Sequence, residues 1–138
     1  MIIHDVDRDG NCGYRVLSYL LTGTEDFHWI IRLKVMDHIA KNGDKIRGIW
    51  TVSVKLDFQR RYHQIANKTH PQPVNEKHWA GNNDFCGFSS LVNINIFSNI
   101  EGTSRWAPHI KDDGYDKEDS ALFIVHVNDN HFMAVVGI

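Results

Sequence analysis

The sequence predicts an α+β domain. Apolar residues recur at helical spacing through the first two thirds of the chain. Ala121–Val127 is then a nearly continuous β-favouring run, and after the polar turn Asn128-Asp129-Asn130 the residues from His131 to Ile138 favour a returning strand. Helices come first and a hairpin last. At 138 residues, with no repeat and no linker, the chain reads as one domain over 1–138.

Asp7-Arg8-Asp9-Gly10-Asn11 is polar and glycine-containing, the composition of a loop. Tyr14, Leu17, Leu20 and Leu21 then fall on one helical face, and Thr22-Gly23 supplies a stop, so a helix of about three turns begins near Cys12. Thr24 suits an N-cap. Glu25 and Asp26 fit the first turn of a second helix, where the backbone dipole favours negative charge. Its apolar stripe is Ile31, Val35 and Ile39, and Gly43 ends it. Between Thr51 and Asn67 both periods occur. Val52, Val54, Leu56 and Phe58 alternate like a strand, while Val54, Phe58, Tyr62 and Ile65 suit a helix. The polar second half favours helix.

His70-Pro71-Gln72-Pro73 is a loop. Asn83 is placed to cap a helix in which Phe85, Phe88, Leu91 and Val92 share a face. Ile94, Ile96 and Phe97 begin a strand. Gly102 to Asp119 is turn-rich and acidic, with room for a short strand near Trp106. A run such as 121–127 is expected where both faces of a strand are buried.

Composition narrows the function. Hydrophobic residues make up 42% of the chain and charged residues 23%, with seven Phe, four Trp and four Tyr to fill an interior. That is a globular composition. A net charge of -2 gives no nucleic-acid footprint. No apolar run is long enough to span a bilayer, and the N-terminus lacks the layout of a signal peptide. Two cysteines, Cys12 and Cys86, cannot make a multi-bridge framework, which points to a reducing compartment. The expectation is a cytoplasmic monomer that binds neither nucleic acid nor membrane.

Cys12 follows a loop and opens a helix. Unpaired backbone N–H groups and the dipole at that end stabilise a thiolate. The same groups, with those of Asp9, Gly10 and Asn11, suit the oxyanion of a tetrahedral intermediate. A buried free cysteine is nonetheless often just a small hydrophobe. His131 opens the last strand after a turn, where an imidazole can project from the sheet rim and move protons. Metal binding is the competing use of Cys and His. No Cys-x-x-Cys or His-x-x-x-His pair occurs, and His63, His70 and His78 are irregularly spaced, so no metal site is expected. Cys86 falls in an apolar helix and reads as core. Trp79 reads as support beneath the site, and Arg60-Arg61 as a solvated helix face.

Together these residues form a known pattern. Asp9-Gly10-Asn11-Cys12-Gly13-Tyr14-Arg15-Val16-Leu17-Ser18 resembles the Asp-Gly-Asn-Cys signature of ovarian-tumour (OTU) domain cysteine proteases. Asn130-His131-Phe132, followed by Ala134-Val135-Val136, resembles the family's His-aromatic strand. Trp79-Ala80-Gly81, then a helix and Ile94-Asn95-Ile96-Phe97, is similar to its Trp-Gly-Gly, helix, strand passage. The resemblance implies a papain-like core, with a small mixed β-sheet packed between helices. It implies Cys12 as nucleophile, His131 as general base, and Asp9 as the signature acid whose loop, with Gly10 and Asn11, shapes the oxyanion hole. The implied reaction is hydrolysis after the C-terminal glycine of ubiquitin, of polyubiquitin chains or of a ubiquitin-like modifier, without a cofactor. Such domains also occur in viruses and intracellular bacteria, where they would work in the host cytoplasm.

One position departs from the pattern. Many members carry Asp or Asn two residues after the His to orient the imidazole, and here that residue is Met133, only a weak acceptor. Asp5, Asp7, Asn128 and Asn130 are candidates for a third member; otherwise a Cys–His dyad operates. Met133 also motivates an alternative, a catalytically weak or inactive ubiquitin-binding pseudoenzyme. A thiol enzyme acting on another acyl substrate is a third reading. The tail of ubiquitin carries an arginine before its two glycines, and the acidic stretch Asp112, Asp113, Asp116, Glu118 and Asp119 is one place to receive it. Ordinary solvation of a turn-rich segment explains the same stretch.

Overall fold

The computed structural model describes residues 1–100, 103–127 and 131–137. Strand β1 (Ile2–His4) is followed by helices α1 (Cys12–Thr22), α2 (His28–Asn42), α3 (Val52–Ile65) and α4 (Asn82–Val92). Strands β2 (Asn95–Ile100), β3 (Trp106–His109), β4 (Ala121–Val127) and β5 (His131–Gly137) complete the chain. Short 3₁₀ turns at Glu25–Phe27 and Glu76–His78 precede α2 and α4. The fold is α+β and papain-like, with a mixed five-stranded sheet in the order β1-β5-β4-β2-β3. Among the described residues, β2 and β4 pair parallel and the other pairs are antiparallel. Among the described residues no helix is long and apolar enough to cross a membrane.

Local chemistry sets the helix ends. Gly23 closes α1 in the left-handed region at φ 86°, and its N–H reaches Tyr19 O. The Thr24 hydroxyl accepts from Asp26 N–H, so it caps the 3₁₀ turn that leads into α2. Thr51 caps α3 through Val54 N–H, which settles the ambiguous stretch as helix. The cap of α4 is not Asn83. Its N-cap is Gly81, whose N–H donates to the carboxylate of Asp84 at 3.0 Å. An acid three residues past the cap satisfies an otherwise unpaired donor, and that pairing outcompetes Asn83.

α1 packs on β5, α4 on β2 and β3, α2 against both α1 and α4, and α3 against α2. The core between helices and sheet contains Tyr14, Val16, Leu17, Val35, Ile39, Phe58, Phe85, Phe88, Ile96, Ile124 and Ala134, all at most 2% exposed. Period-2 alternation places Ile124, Ala134 and Phe132 on this side. Two contacts fix how closely elements approach. A Cβ on Gly13 would lie 2.4 Å from Ala80 Cβ, so α1 can pass the 79–81 loop only with glycine there. A Cβ on Gly10 would lie 2.6 Å from Trp79 Nε1.

β1 has no counterpart among the elements expected from sequence. Three residues are too few for periodicity to register, and its pairing with β5 is a tertiary event.

Candidate active site

Cys12 is the first residue of α1 and is 3% exposed. Its sulfur accepts the N–H of Phe132, which brings the start of β5 against the helix end and makes His131 its neighbour in the chain. The loop before it is tightly bonded. Arg15 grips Asp9 with Nε to Oδ1 at 3.1 Å and Nη2 to Oδ2 at 2.8 Å, and Asn11 N–H donates to the same carboxylate at 2.9 Å. Burial opposes the charge on Asp9, but these donors outweigh it and hold the carboxyl below its ordinary range. Cys12 N–H is bonded to Asp9 O at 3.1 Å. An oxyanion at this loop therefore competes with Asp9 for the Asn11 and Cys12 donors.

The thiol itself runs against expectation. Burial, seconded by the negative Asp9, raises its pKa above the ordinary value; the Phe132 and Gly13 N–H groups pull the other way without winning. Helix-end activation was the basis for expecting a lowered value, and desolvation overrides it for a sulfur so enclosed.

His131 is 2% exposed. Its Nε2 lies 2.7 Å from Asp5 Oδ1, while Nδ1 is buried with no hydrogen-bond partner among the described residues. The hydrogen bond to His131 holds the Asp5 carboxyl below its usual range. Asp5 follows β1, whose pairing with β5 (His4 opposite Ala134) delivers it to the imidazole. Asp7 does not reach the ring. Its side chain is exposed near Arg15, and its N–H donates to Glu25. Asn128 and Asn130 lie outside the described residues. Met133 stands opposite Val125 in the β4–β5 ladder.

Arg8, Asp9, Trp79 and His131 line a cleft of about 210 Å³. Two buried arginines brace the loops that carry Asp9 and Trp79. Arg32, 1% exposed, places its guanidinium 4.3 Å from the Tyr14 ring centroid and donates to Gly10 O (3.2 Å) and His78 O (3.4 Å). Arg61 donates to His78 O as well, at 3.2 Å. The basic pair is thus split: Arg60 is solvated, while Arg61 turns inward over Phe58. The signal was positional. Arg32 lies on the Val35–Met36–Ile39 face of its helix, and Arg61 lies between Phe58 and Ile65 on its own. Trp79 braces the same loop by donating to Val74 O.

Cys86, His109 and Asn82 form a second cysteine–histidine grouping, away from Cys12 and His131. Both ring nitrogens of His109 are engaged, by Asn82 Oδ1 at 2.9 Å and Ser98 Oγ at 3.0 Å. Burial pushes the Cys86 thiol up to about 11 and His109 down to about 4, so neither charges near neutrality. Part of the acidic stretch is engaged within the fold. Asp112 accepts from Ser90 Oγ and Arg47 N–H, and Asp113 pairs with Lys111. It precedes β4, whose other end meets His131, a strand length of roughly 20 Å away. Among the described residues, no group of three His, Cys, Asp or Glu side chains could hold a metal ion.

No family model matches the sequence, and no curated protein does. Solved structures do. The OTU domain of OTUD1 superimposes with a TM-score of 0.72 at 18% identity, over 98% of this chain and 85% of that one. The chain has an OTU-domain fold. The viral OTU domain protease from Qalyub virus shares this OTU fold at TM-score 0.73 and 18% identity, covering 99% of this chain and 84% of that one. The Hazara virus OTU, solved bound to ubiquitin, matches at 0.63 and 16% identity over 96% and 79%.

Proposed function

We propose that this OTU-fold chain is a cysteine-type deubiquitinase, acting after the C-terminal glycine of ubiquitin or a ubiquitin-like protein. The observation that carries the reading is Asp5 Oδ1 at 2.7 Å from Nε2 of His131, whose chain neighbour Phe132 donates its N–H to the sulfur of the helix-end Cys12. A carboxylate on one ring nitrogen fixes the tautomer and leaves the other nitrogen as the base, the logic of a nucleophile–base–orienter set. His131 Nδ1 takes the thiol proton as Sγ attacks the carbonyl. The protonated ring then gives that proton to the departing lysine or α-amine, leaving a thioester that water hydrolyses by the same route in reverse. Gly10 and Asn11 shape the oxyanion loop, and Asp9, clamped by Arg15, holds it in place. The likeness to an OTU solved with ubiquitin supports ubiquitin as the substrate class.

The raised Cys12 thiol favours one second reading, a ubiquitin-binding pseudoenzyme. A ubiquitin probe ending in an electrophile separates the two. Covalent labelling that disappears in Cys12→Ala, with chain cleavage lost in Cys12→Ala and His131→Ala, is the expected result. Binding without labelling would favour the pseudoenzyme, and neither binding nor labelling would remove ubiquitin altogether.

A further inference from the structure

Asp5 is carried by a short and exposed support. β1 has three residues, and Ile2 and Ile3 are 58% and 41% exposed. The residue before Asp5 compensates. The imidazole of His4 lies flat on the Tyr19 ring, with centroids 3.7 Å apart and planes within 2°, and its Nε2 is 3.9 Å from Glu25 Oε2. Tyr19 belongs to α1, on the helix that begins with Cys12. Side chains alternate along an extended segment, so His4 meets the helix while Asp5 is presented to His131. Farther along, Asp7 N–H bonds Glu25, and Arg15 joins Glu25 to Asp9. The segment 4–9 is therefore fastened to the nucleophile's own helix through His4–Tyr19 and Asp9–Arg15, with Asp7 tied to Glu25 just beyond that helix, and of these His4 is nearest the orienting carboxylate.

We propose that His4 is a positioning residue for the reaction: its stack on Tyr19 fixes the Asp5 carboxylate, and through it the His131 ring, relative to Cys12. This rests on the deubiquitinase reading above and assigns a task within it to a residue outside the signature.

A double-mutant cycle on ubiquitin-chain cleavage tests it, using His4→Ala, His4→Phe, Asp5→Ala and the His4→Ala/Asp5→Ala pair, with thermal midpoints recorded for each. A stacked pair of this size predicts that His4→Ala lowers kcat about 2- to 10-fold with KM unchanged. His4→Phe, which keeps the stack and loses the Glu25 contact, should recover most of that loss. In the Asp5→Ala background His4→Ala should add nothing, because the group it positions is gone. An equal loss in both backgrounds would mark His4 as merely structural and overturn the proposal, as would a His4→Phe variant that folds yet is as slow as His4→Ala. Should His4→Ala fail to fold, the His4→Phe rate alone decides, since it must stay near wild type. If Cys12→Ala still cleaved chains, the deubiquitinase reading would fall instead, whatever His4 did.

Discussion

Asp5 and His131 stand 126 residues apart in the chain and 2.7 Å apart in space. Met133, two residues after the histidine, is only a weak acceptor, and the group that His131 Nε2 meets is the Asp5 carboxylate, which arrives from β1 at the other end of the chain. Hydrogen bonds to charged groups contribute about 1.5–3 kcal/mol, roughly 10- to 150-fold in rate if the bond is needed only when the ring is charged. Asp5→Ala should lower kcat within that range and leave KM for a ubiquitin substrate unchanged. Asp5→Asn, which still accepts a hydrogen bond, should fall between. Steady-state kinetics on the three proteins check this.

The state of the Cys12 thiol gives a second expectation. A pre-formed thiolate–imidazolium pair would alkylate readily near neutrality. A thiol raised above its ordinary value by burial stays protonated until a higher pH. The rate of iodoacetamide modification of the free protein should therefore climb with pH through a value above about 8.5. A plateau of high reactivity between about pH 6 and 8 would show that the ion pair exists at rest.

Legibility in the sequence followed the range of the interactions. Cys12 at a helix start, the stop at Gly23 and the cap at Thr24 are local, and local chemistry is what a sequence displays. The strand at 121–127 was equally plain from its β-favouring run, but the expected burial on both faces does not hold: Ile124, Val125 and Val127 are buried, while Phe123 is 40% exposed. Asp5 was only one of four candidates, since no spacing rule connects it to His131. The inward turn of Arg32 and Arg61 was missed because a guanidinium on an apolar face reads as an exception until its acceptors, the carbonyls of Gly10 and His78, are seen. The raised thiol was misjudged for a related reason. The helix dipole is visible from sequence, whereas the depth of burial that opposes it is not.

The close pass of α1 over the 79–81 loop yields a packing test. Gly13→Ala places a methyl 2.4 Å from Ala80 Cβ, so the helix or the loop must shift. Overpacking of this kind typically costs about 1–3 kcal/mol, more than the helix propensity that alanine gains. Denaturant midpoints should drop accordingly in Gly13→Ala and recover in Gly13→Ala/Ala80→Gly, which vacates the space from the other side. Failure of that pair to recover would mean another neighbour sets the limit.

Acid sensitivity should begin before the carboxylates titrate. Burial lowers His28 and His109 from 6.5 to about 4, so both are neutral in the folded protein when their unfolded counterparts take up protons. A depressed folded pKa contributes stability that is fully present above about pH 6.5 and is lost as pH falls toward 4. Each such group accounts for up to about 3 kcal/mol. Unfolding free energy should decline across that window, and His109→Gln, which retains a hydrogen-bonding side chain but cannot charge, should flatten the slope.

The order in which the strands become available has a consequence for biosynthesis. β1 pairs with β5, so residues 2–4 wait unpartnered while the rest of the chain is made. At about 5–20 residues per second, the sulfur-bearing helix leaves the ribosome many seconds before the imidazole and, with it, the docking site for Asp5. On the deubiquitinase reading, a nascent chain therefore displays its nucleophile before the base that would deprotonate it has been made, and competence comes abruptly, with β5.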